Sequence, residues 1–465
     1  MTQARHVTII GAGICGLACA YRLGQLGIAA TIVESSHHTG GVIETNKVDG
    51  FLFESGPQSF QGSELLLNLT RELGIEPELQ FANPAAPRFV IRNRRLQTLP
   101  MSPPAILTSS LLSATSRWKL ACEPLRRARP PMTEESVANF VRRKFGTEIL
   151  DYLVAPFVSG VYAGDPEQLS LDAAFPSLAQ WERDYGSVVR GAIKSRPKSG
   201  GKNGRKMAKP SLCSFRGGVA TLPRALANTV AGNLKLDTTA SAVLRHPEPG
   251  SRFLEVEASA SDGNERSISE AVVIATPAYV AANLIRPLSS VLAISLSAIP
   301  YAPVAVVANG YKREQISHAL YGFGFLIPRK EKIRTLGTVW NSSLFPGRGP
   351  DGTVTMTSFI GGATDLEITQ HSDLEISQIV QQDNAALLGI KGQPVASTIW
   401  NYPRALPQYN LRHGKIVEAV REGERATPGV FFAGNYLEGP SLGKCVENGF
   451  HTAKAVAAYL KEIRA

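Results

Sequence analysis

"VTIIGAGICGLACAYRLGQLGIAATIVE", residues 7–34, admits two readings. A basic start, an apolar run and small residues would make a secretory leader; a strand, a glycine turn and a helix would open a nucleotide-binding fold. The spacing decides for the second. Val7–Ile10 is a short, β-branched run suited to a buried strand. Gly11, Gly13 and Gly16 follow as G-x-G-x-x-G. The first permits a tight turn, the second lets backbone approach a pyrophosphate, and the third lets the helix pack on the strand. Leu17–Leu26 reads as that helix, stopped by Gly27, and Ala29–Val33 as a second strand. Glu34 closes it at about the twenty-residue spacing where a carboxylate accepts hydrogen bonds from ribose hydroxyls. A leader has no use for that acid, nor for three glycines in this register.

The rest of the composition sets bounds. At 465 residues the chain can hold two or three domains, and 43% hydrophobic with 19% charged content is that of a folded protein. A net charge of +10 admits nucleic acid, an anionic membrane surface or an acidic small molecule as partner. No nucleic-acid-reading motif is present, so no nucleic-acid partner is expected. Much of the excess charge sits in "KSRPKSGGKNGRKMAKPS", Lys194 to Ser211, which reads as a solvated loop or as a membrane-contact patch. The five cysteines contain no C-x-x-C pair, and the eight histidines show no ligand spacing; His37 and His38, being adjacent, should point apart. No metal site is expected, and a reducing compartment suits the thiols. The most apolar stretch, Ala271 to Ala308, is broken by Pro277, Arg286, Pro287, Pro300 and Pro303, so any membrane attachment should be peripheral.

Along the chain, "SSHHTGGVIET" offers a second close backbone approach at Gly40-Gly41, and "GFLFESGPQSF" places a turn at Gly56-Pro57 beside an apolar strand. Strand character fades over residues 100–195. There Val137, Phe140, Val141 and Phe145 have helical spacing behind a weak N-cap at Thr133. "EAVVIATPA" is a buried strand, and Val304 to Gly362 alternates as an antiparallel sheet does. "GVFFAGNYLEGPSLGKCVENGFHTAKAVAAYL" repeats strand, glycine loop and helix. The helix start near Leu442 to Val446 presents free N–H groups and a positive dipole end. Taken as one site, the two chain ends would suit a long dinucleotide such as FAD better than NAD; alternatively the terminal helix simply packs on the first domain.

With those residues in view, the chain resembles the flavin-dependent protoporphyrinogen oxidases of the flavin amine oxidase superfamily. The likeness runs nearly end to end and is most specific in "PFVSGVYAGDPEQLSL" and "SFRGGVATLP". It implies an α/β (α+β) architecture with three parts. A discontinuous Rossmann-like FAD-binding domain would span residues 1–87, 212–285 and 398–465. A substrate domain on an antiparallel sheet would span 88–99 and 286–397, and a helical membrane-contacting domain 100–211. The resemblance implies FAD along Gly11, Ala12, Gly13, Ile14, Cys15 and Gly16, then Glu34 and Ser35, Gly41 and Val42, and Gly56, Pro57, Gln58 and Ser59. Further contacts would come from the backbone near Ala240, from Trp400, from Gly434 and Asn435, and from Leu442, Gly443 and Val446. Gly160, Phe323, Leu326, Val339 and Phe359 would line the substrate cavity, and Arg88 would pair with a propionate.

The implied reaction is oxidation of protoporphyrinogen IX with molecular oxygen as acceptor, hydride leaving a meso carbon for the flavin. No side chain is nominated as an obligatory acid or base. A tetrapyrrole is a wide apolar plate with carboxylates on one edge, so it calls for apolar faces and a guanidinium fork. From the residues alone, Arg88 is equally one exposed cation in a cluster with Arg92, Arg94 and Arg95, and the apolar residues are ordinary core. Three rivals stand beside this reading: a coproporphyrinogen III oxidase of the same fold, an amine oxidase or carotenoid desaturase, and an escort protein that keeps the fold without flavin. The expected location is cytoplasmic, peripheral on the inner face of the cell membrane, and a homodimer is compatible with the family.

Overall fold

The computed structural model describes residues 6–101, 103–125, 131, 133–195, 211–261 and 263–463. The basic run read as loop or membrane patch falls mostly at 196–210, outside the described residues.

Val7–Ile10 is the centre of a five-stranded parallel sheet whose order is Leu234–Lys235, Ala30–Val33, Val7–Ile10, Ala271–Ile274, Val430–Phe432. Three segments hundreds of residues apart thus lie side by side. Alternate side chains serve opposite faces, as strand geometry requires. Val7 and Ile9 join a core with Leu17, Leu23 and Val456, while Ile10 joins another with Val272, Ala281 and Leu292. The first helix covers Ile14–Gln25, three residues earlier than the pattern indicates, and the second strand is Ala30–Val33. The C-terminal helix Leu442–Glu462 crosses the first helix at Gly449, where a Cβ would lie 2.4 Å from the Cys15 carbonyl oxygen.

The second sheet has seven strands, ordered Ala396–Pro407, Tyr301–Lys312, Thr353–Gly361, Thr335–Val339, Gly324–Leu326, Arg88–Arg92, Arg95–Thr98. It is antiparallel except for one pair, Gly324–Leu326 beside Arg88–Arg92, which runs parallel. Ala396–Pro407 passes straight through the division expected at 397/398 and pairs with Tyr301–Lys312 from Tyr301↔Pro407 to Gly310↔Ala396. One face of this sheet packs on the helix Asp373–Leu388 through Ala305, Val307, Ile360, Ile376 and Val380.

The described residues of 103–125 and 133–195 are mostly helical. Val137, Phe140, Val141, Leu150, Val158 and Leu169 share a core with Tyr409. The helix Val137–Lys144 is capped by Ser136, whose Oγ accepts from the Asn139 N–H at 3.2 Å, rather than by Thr133. His37 and His38 do not point apart; their rings meet edge to face with centroids 5.1 Å apart. No helix among the described residues is long and apolar enough to cross a membrane.

Candidate flavin and substrate site

The glycine loop behaves as its sterics demand. Gly11 has φ +107°, and a Cβ there would lie 2.9 Å from the Ala275 carbonyl oxygen; at Gly16 it would lie 2.0 Å from the Gly11 oxygen. Gly13 differs, since nothing lies within 4 Å of where its Cβ would be. Its missing side chain leaves open space rather than a close contact inside the protein. Ala12 N–H donates to Glu34 Oε2 at 2.7 Å, so the acid at the end of the second strand steadies the loop. Its other oxygen accepts from Ser36 N–H at 2.9 Å and Ser36 Oγ at 2.7 Å. Ser35, exposed beside it, gives Glu34 a longer hydroxyl contact of 3.3 Å.

Of the other residues expected at the cofactor, Gly40 and Gly41 meet this loop directly. Gly40 N–H donates to the Ala12 carbonyl, and the Cβ position of Gly41 is 3.5 Å from Gly13 Cα. Val42 is exposed at 52%, and its carbonyl would be 2.3 Å from a Cβ on Gly56, so only glycine fits the turn before Pro57 and Ser59. Gln58 turns inward. It donates to the Gly56 carbonyl at 2.8 Å and accepts from Asn341 at 2.6 Å, which fixes that turn. Ala240 lies on Thr239–Arg245, reached from Glu34 through the Thr238 N–H bond to the Glu34 carbonyl. At the other chain end, Gly434 N–H donates to Asn448 Oδ1 at 2.9 Å, fixing the loop that carries Asn435. Ser441 caps the C-terminal helix through the Lys444 N–H. Ile14, Cys15, Leu442 and Val446 bury their side chains in the core, leaving backbone as what they and Gly443 can offer a ligand.

The seven-stranded sheet brings Arg88, Leu326, Val339 and Phe359 to one face, while Phe323 precedes the strand Gly324–Leu326, meets Arg88 and packs in one cluster with Val339. Trp400, Val306, Phe359, Gly337, Leu326 and Val90 form one cross-strand row. Arg88, Gly324, Val339 and Thr357 form another two residues away along the strands, hence on the same face. Gly160, from the helix Ala155–Tyr162, closes on this face; a Cβ there would be 2.5 Å from Leu326 Cδ2. Trp400 packs with Phe51 and Phe53, and the aromatic nearer the Gly56 turn is Tyr402. Burial pushes the Tyr402 phenol above its ordinary pKa, while its hydrogen bond to Ser55 pulls the other way. Tyr402 was not legible beforehand, although its place two residues beyond Trp400 on the strand is the signal that could have found it.

Arg88 separates from the arginines around it. Arg94 and Arg95 are exposed at a hairpin tip, and Arg92 is tied to Glu148 at 2.9 Å and lies over the Tyr152 ring. Lys330, near the same end, pairs with Asp151. Arg88 is half-buried with its guanidinium 5.2 Å from the Phe323 ring centroid, and it has no carboxylate partner among the described residues. A guanidinium so placed is a ready fork for a ligand anion at the edge of an apolar surface.

Comparison with known proteins agrees with this geometry. The family described as flavin containing amine oxidoreductase matches residues 14–459. The chloroplastic protoporphyrinogen oxidase of Oryza sativa subsp. japonica is 35% identical over 475 residues, 97% of this chain and 88% of that protein. The coproporphyrinogen III oxidase of Bacillus subtilis (strain 168) is 29% identical over 475 residues, 98% of each chain. Among solved structures, one from Exiguobacterium sp. 255-15 assigned to protoporphyrinogen oxidase superposes with TM-score 0.83 at 22% identity, covering 99% of this chain and 100% of that one. A reduced UDP-galactopyranose mutase shares the fold at TM-score 0.73 and 15% identity, over 98% of this chain and 94% of that one. The chain belongs to the flavin containing amine oxidoreductase family.

Proposed function

We propose that this family member holds FAD between its two chain ends and oxidises protoporphyrinogen IX to protoporphyrin IX. The residues present fit the cofactor. Gly13 leaves open space at the loop, Gly41 lies against it, Glu34 ends the second strand, and a capped helix start faces in from the far end of the chain. Bound FAD supplies a two-electron acceptor that molecular oxygen regenerates with release of hydrogen peroxide. The balanced reaction removes six electrons and six hydrogens from the porphyrinogen and reduces three molecules of oxygen to peroxide.

The chain's own residues bind and orient. Phe323, Leu326, Val339 and Phe359 take the apolar plate out of water, and Arg88 fixes its carboxylate edge. The observation that carries the reading is Arg88 itself, half-buried over Phe323 without a carboxylate partner among the described residues. It also favours two propionates over four, because the nearby cations Arg92 and Lys330 already have acidic partners. In this reading the parallel sheet and chain ends serve the cofactor and the seven-stranded sheet serves the substrate. The helices within 103–125 and 133–195 would rest peripherally on the inner face of the cell membrane through Trp118, Leu125 and Ile193, exposed at 70%, 82% and 61%.

The test offers protoporphyrinogen IX and coproporphyrinogen III side by side to FAD-loaded protein and follows porphyrin fluorescence with oxygen uptake. Faster turnover of protoporphyrinogen at three oxygens per porphyrin supports the proposal. Preference for coproporphyrinogen would move the assignment to the four-carboxylate substrate.

A further inference from the structure

The segment Pro407–His413 belongs to none of the motifs that point to flavin or substrate, yet it touches all three parts of the molecule. At one end Pro407 pairs with Tyr301 in the seven-stranded sheet. Toward the helical part, Gln408 Nε2 donates to the Tyr162 carbonyl at 2.9 Å, and the Ser170 N–H donates to the Tyr409 carbonyl at 2.8 Å. The Leu411 N–H reaches the Gln168 carbonyl at 2.8 Å, and the Arg412 N–H reaches Glu134 Oε2 at 2.7 Å. The Tyr162 ring meets Tyr409 edge to face, centroids 6.1 Å apart. Tyr162 is the last residue of the helix whose Gly160 closes on Leu326.

On its other side the same segment grips the loop before the C-terminal helix. The Tyr409 hydroxyl donates to the Asn435 carbonyl, and His413 Nε2–H donates to the Tyr436 carbonyl at 3.0 Å. The Tyr409 and His413 rings lie tilted against each other, centroids 4.5 Å apart, and Gln408, Tyr409 and His413 are all buried. The peptide bonds among the described residues are all trans, so turning the Asn435 carbonyl toward Tyr409 turns the Tyr436 N–H the opposite way. That N–H has no partner among the described residues. Tyr409 therefore sets the orientation of a peptide unit in the cofactor loop while its backbone holds the helices of the substrate cavity.

We propose that Pro407–His413 links the two sites, so that occupancy of the flavin cradle orders the substrate-side helix Ala155–Tyr162, with Tyr409 as the positioning residue. This rests on the flavin reading given above. A ligand that tightens the Asn435–Tyr436 loop tightens the partners of Tyr409 and Gln408 as well, and through them Tyr162. Coupling of this kind needs no large movement, only an opening equilibrium that the two sites share.

Hydrogen exchange on the full chain, stripped of FAD and then reloaded, reads this directly. Reloading should slow exchange at residues 11–25 and also at 155–175. In Tyr409→Phe, FAD binding should weaken by roughly 2- to 12-fold, the loss of one neutral hydrogen bond. At saturating FAD, protection at 11–25 should persist while protection at 155–175 falls. Gln408→Met, which leaves Asn435 untouched, should also lose the protection at 155–175 and keep FAD affinity. The link is overturned if FAD protects 11–25 of the wild type but not 155–175, or if both variants keep full protection there. Absence of protection everywhere on adding FAD would instead overturn the flavin reading, and the link with it.

Discussion

Replacing Arg88 by alanine isolates the contribution of one guanidinium. In the folded protein Arg88 has no carboxylate partner among the described residues and lies 5.2 Å from the Phe323 ring centroid. Its removal costs the fold little beyond that cation–π contact, about 0.5–1 kcal/mol at a partly exposed site. A substrate carboxylate would lose a charge-assisted, forked hydrogen bond worth about 1.5–3 kcal/mol. That corresponds to a rise in KM of roughly 10- to 150-fold, with flavin content unchanged. Arg88→Lys keeps the charge but not the planar fork, so it should fall between the two. The assay is steady-state oxidation of protoporphyrinogen IX over a range of concentrations, beside flavin absorbance per chain. An unchanged KM in Arg88→Ala, or loss of flavin along with activity, would refute the placement.

Gly13→Val and Gly16→Ala should separate binding from folding. The first puts a side chain into open space and should leave a folded protein that takes up no FAD, as read by melting temperature and flavin absorbance. The second drives a Cβ to 2.0 Å from the Gly11 oxygen and should cost about 3 kcal/mol or more of stability in denaturant unfolding. Burial opposes ionisation of Glu148, but the hydroxyls of Ser113 and Ser116, the Ser113 N–H and Arg92 outweigh it and hold the carboxyl down at about 2. A depressed carboxyl stabilises the fold above its unfolded value of 4.5 and loses that contribution as pH falls toward about 2. Glu148→Gln should therefore be less stable by about 1–2 kcal/mol at neutral pH, after allowing for solvent screening, with the gap closing between pH 4.5 and 2. Trp118→Glu combined with Leu125→Glu should weaken sedimentation with anionic vesicles at least tenfold and leave flavin content intact.

The nucleotide half of the fold was legible because Gly11 and Gly16 answer steric demands close by and Gly13 leaves its loop open, all in one short motif. Gly449 was not, since a glycine inside a helix carries no local sign; its reason is the Cys15 carbonyl, distant in sequence. The continuity of Ala396–Pro407 was not legible, because it rests on pairing with Tyr301–Lys312, distant in sequence, and Pro403 lies within it although proline is disfavoured in strands. The structure accommodates Pro403 on an edge strand, within a register shift between Tyr402 and Leu406. That Arg88, Leu326, Val339 and Phe359 share a face follows from pairing register, which a single sequence does not display. The same holds for Tyr409 and His413: their importance lies in which carbonyls they reach, and those belong to a loop more than twenty residues on.

Anaerobic mixing of the FAD-loaded protein with protoporphyrinogen IX addresses the whole account in a single turnover. The flavin absorbance should bleach at a rate that saturates with porphyrinogen and should return when oxygen is admitted. A chain that binds FAD yet keeps its full absorbance under excess protoporphyrinogen and coproporphyrinogen alike would contradict it.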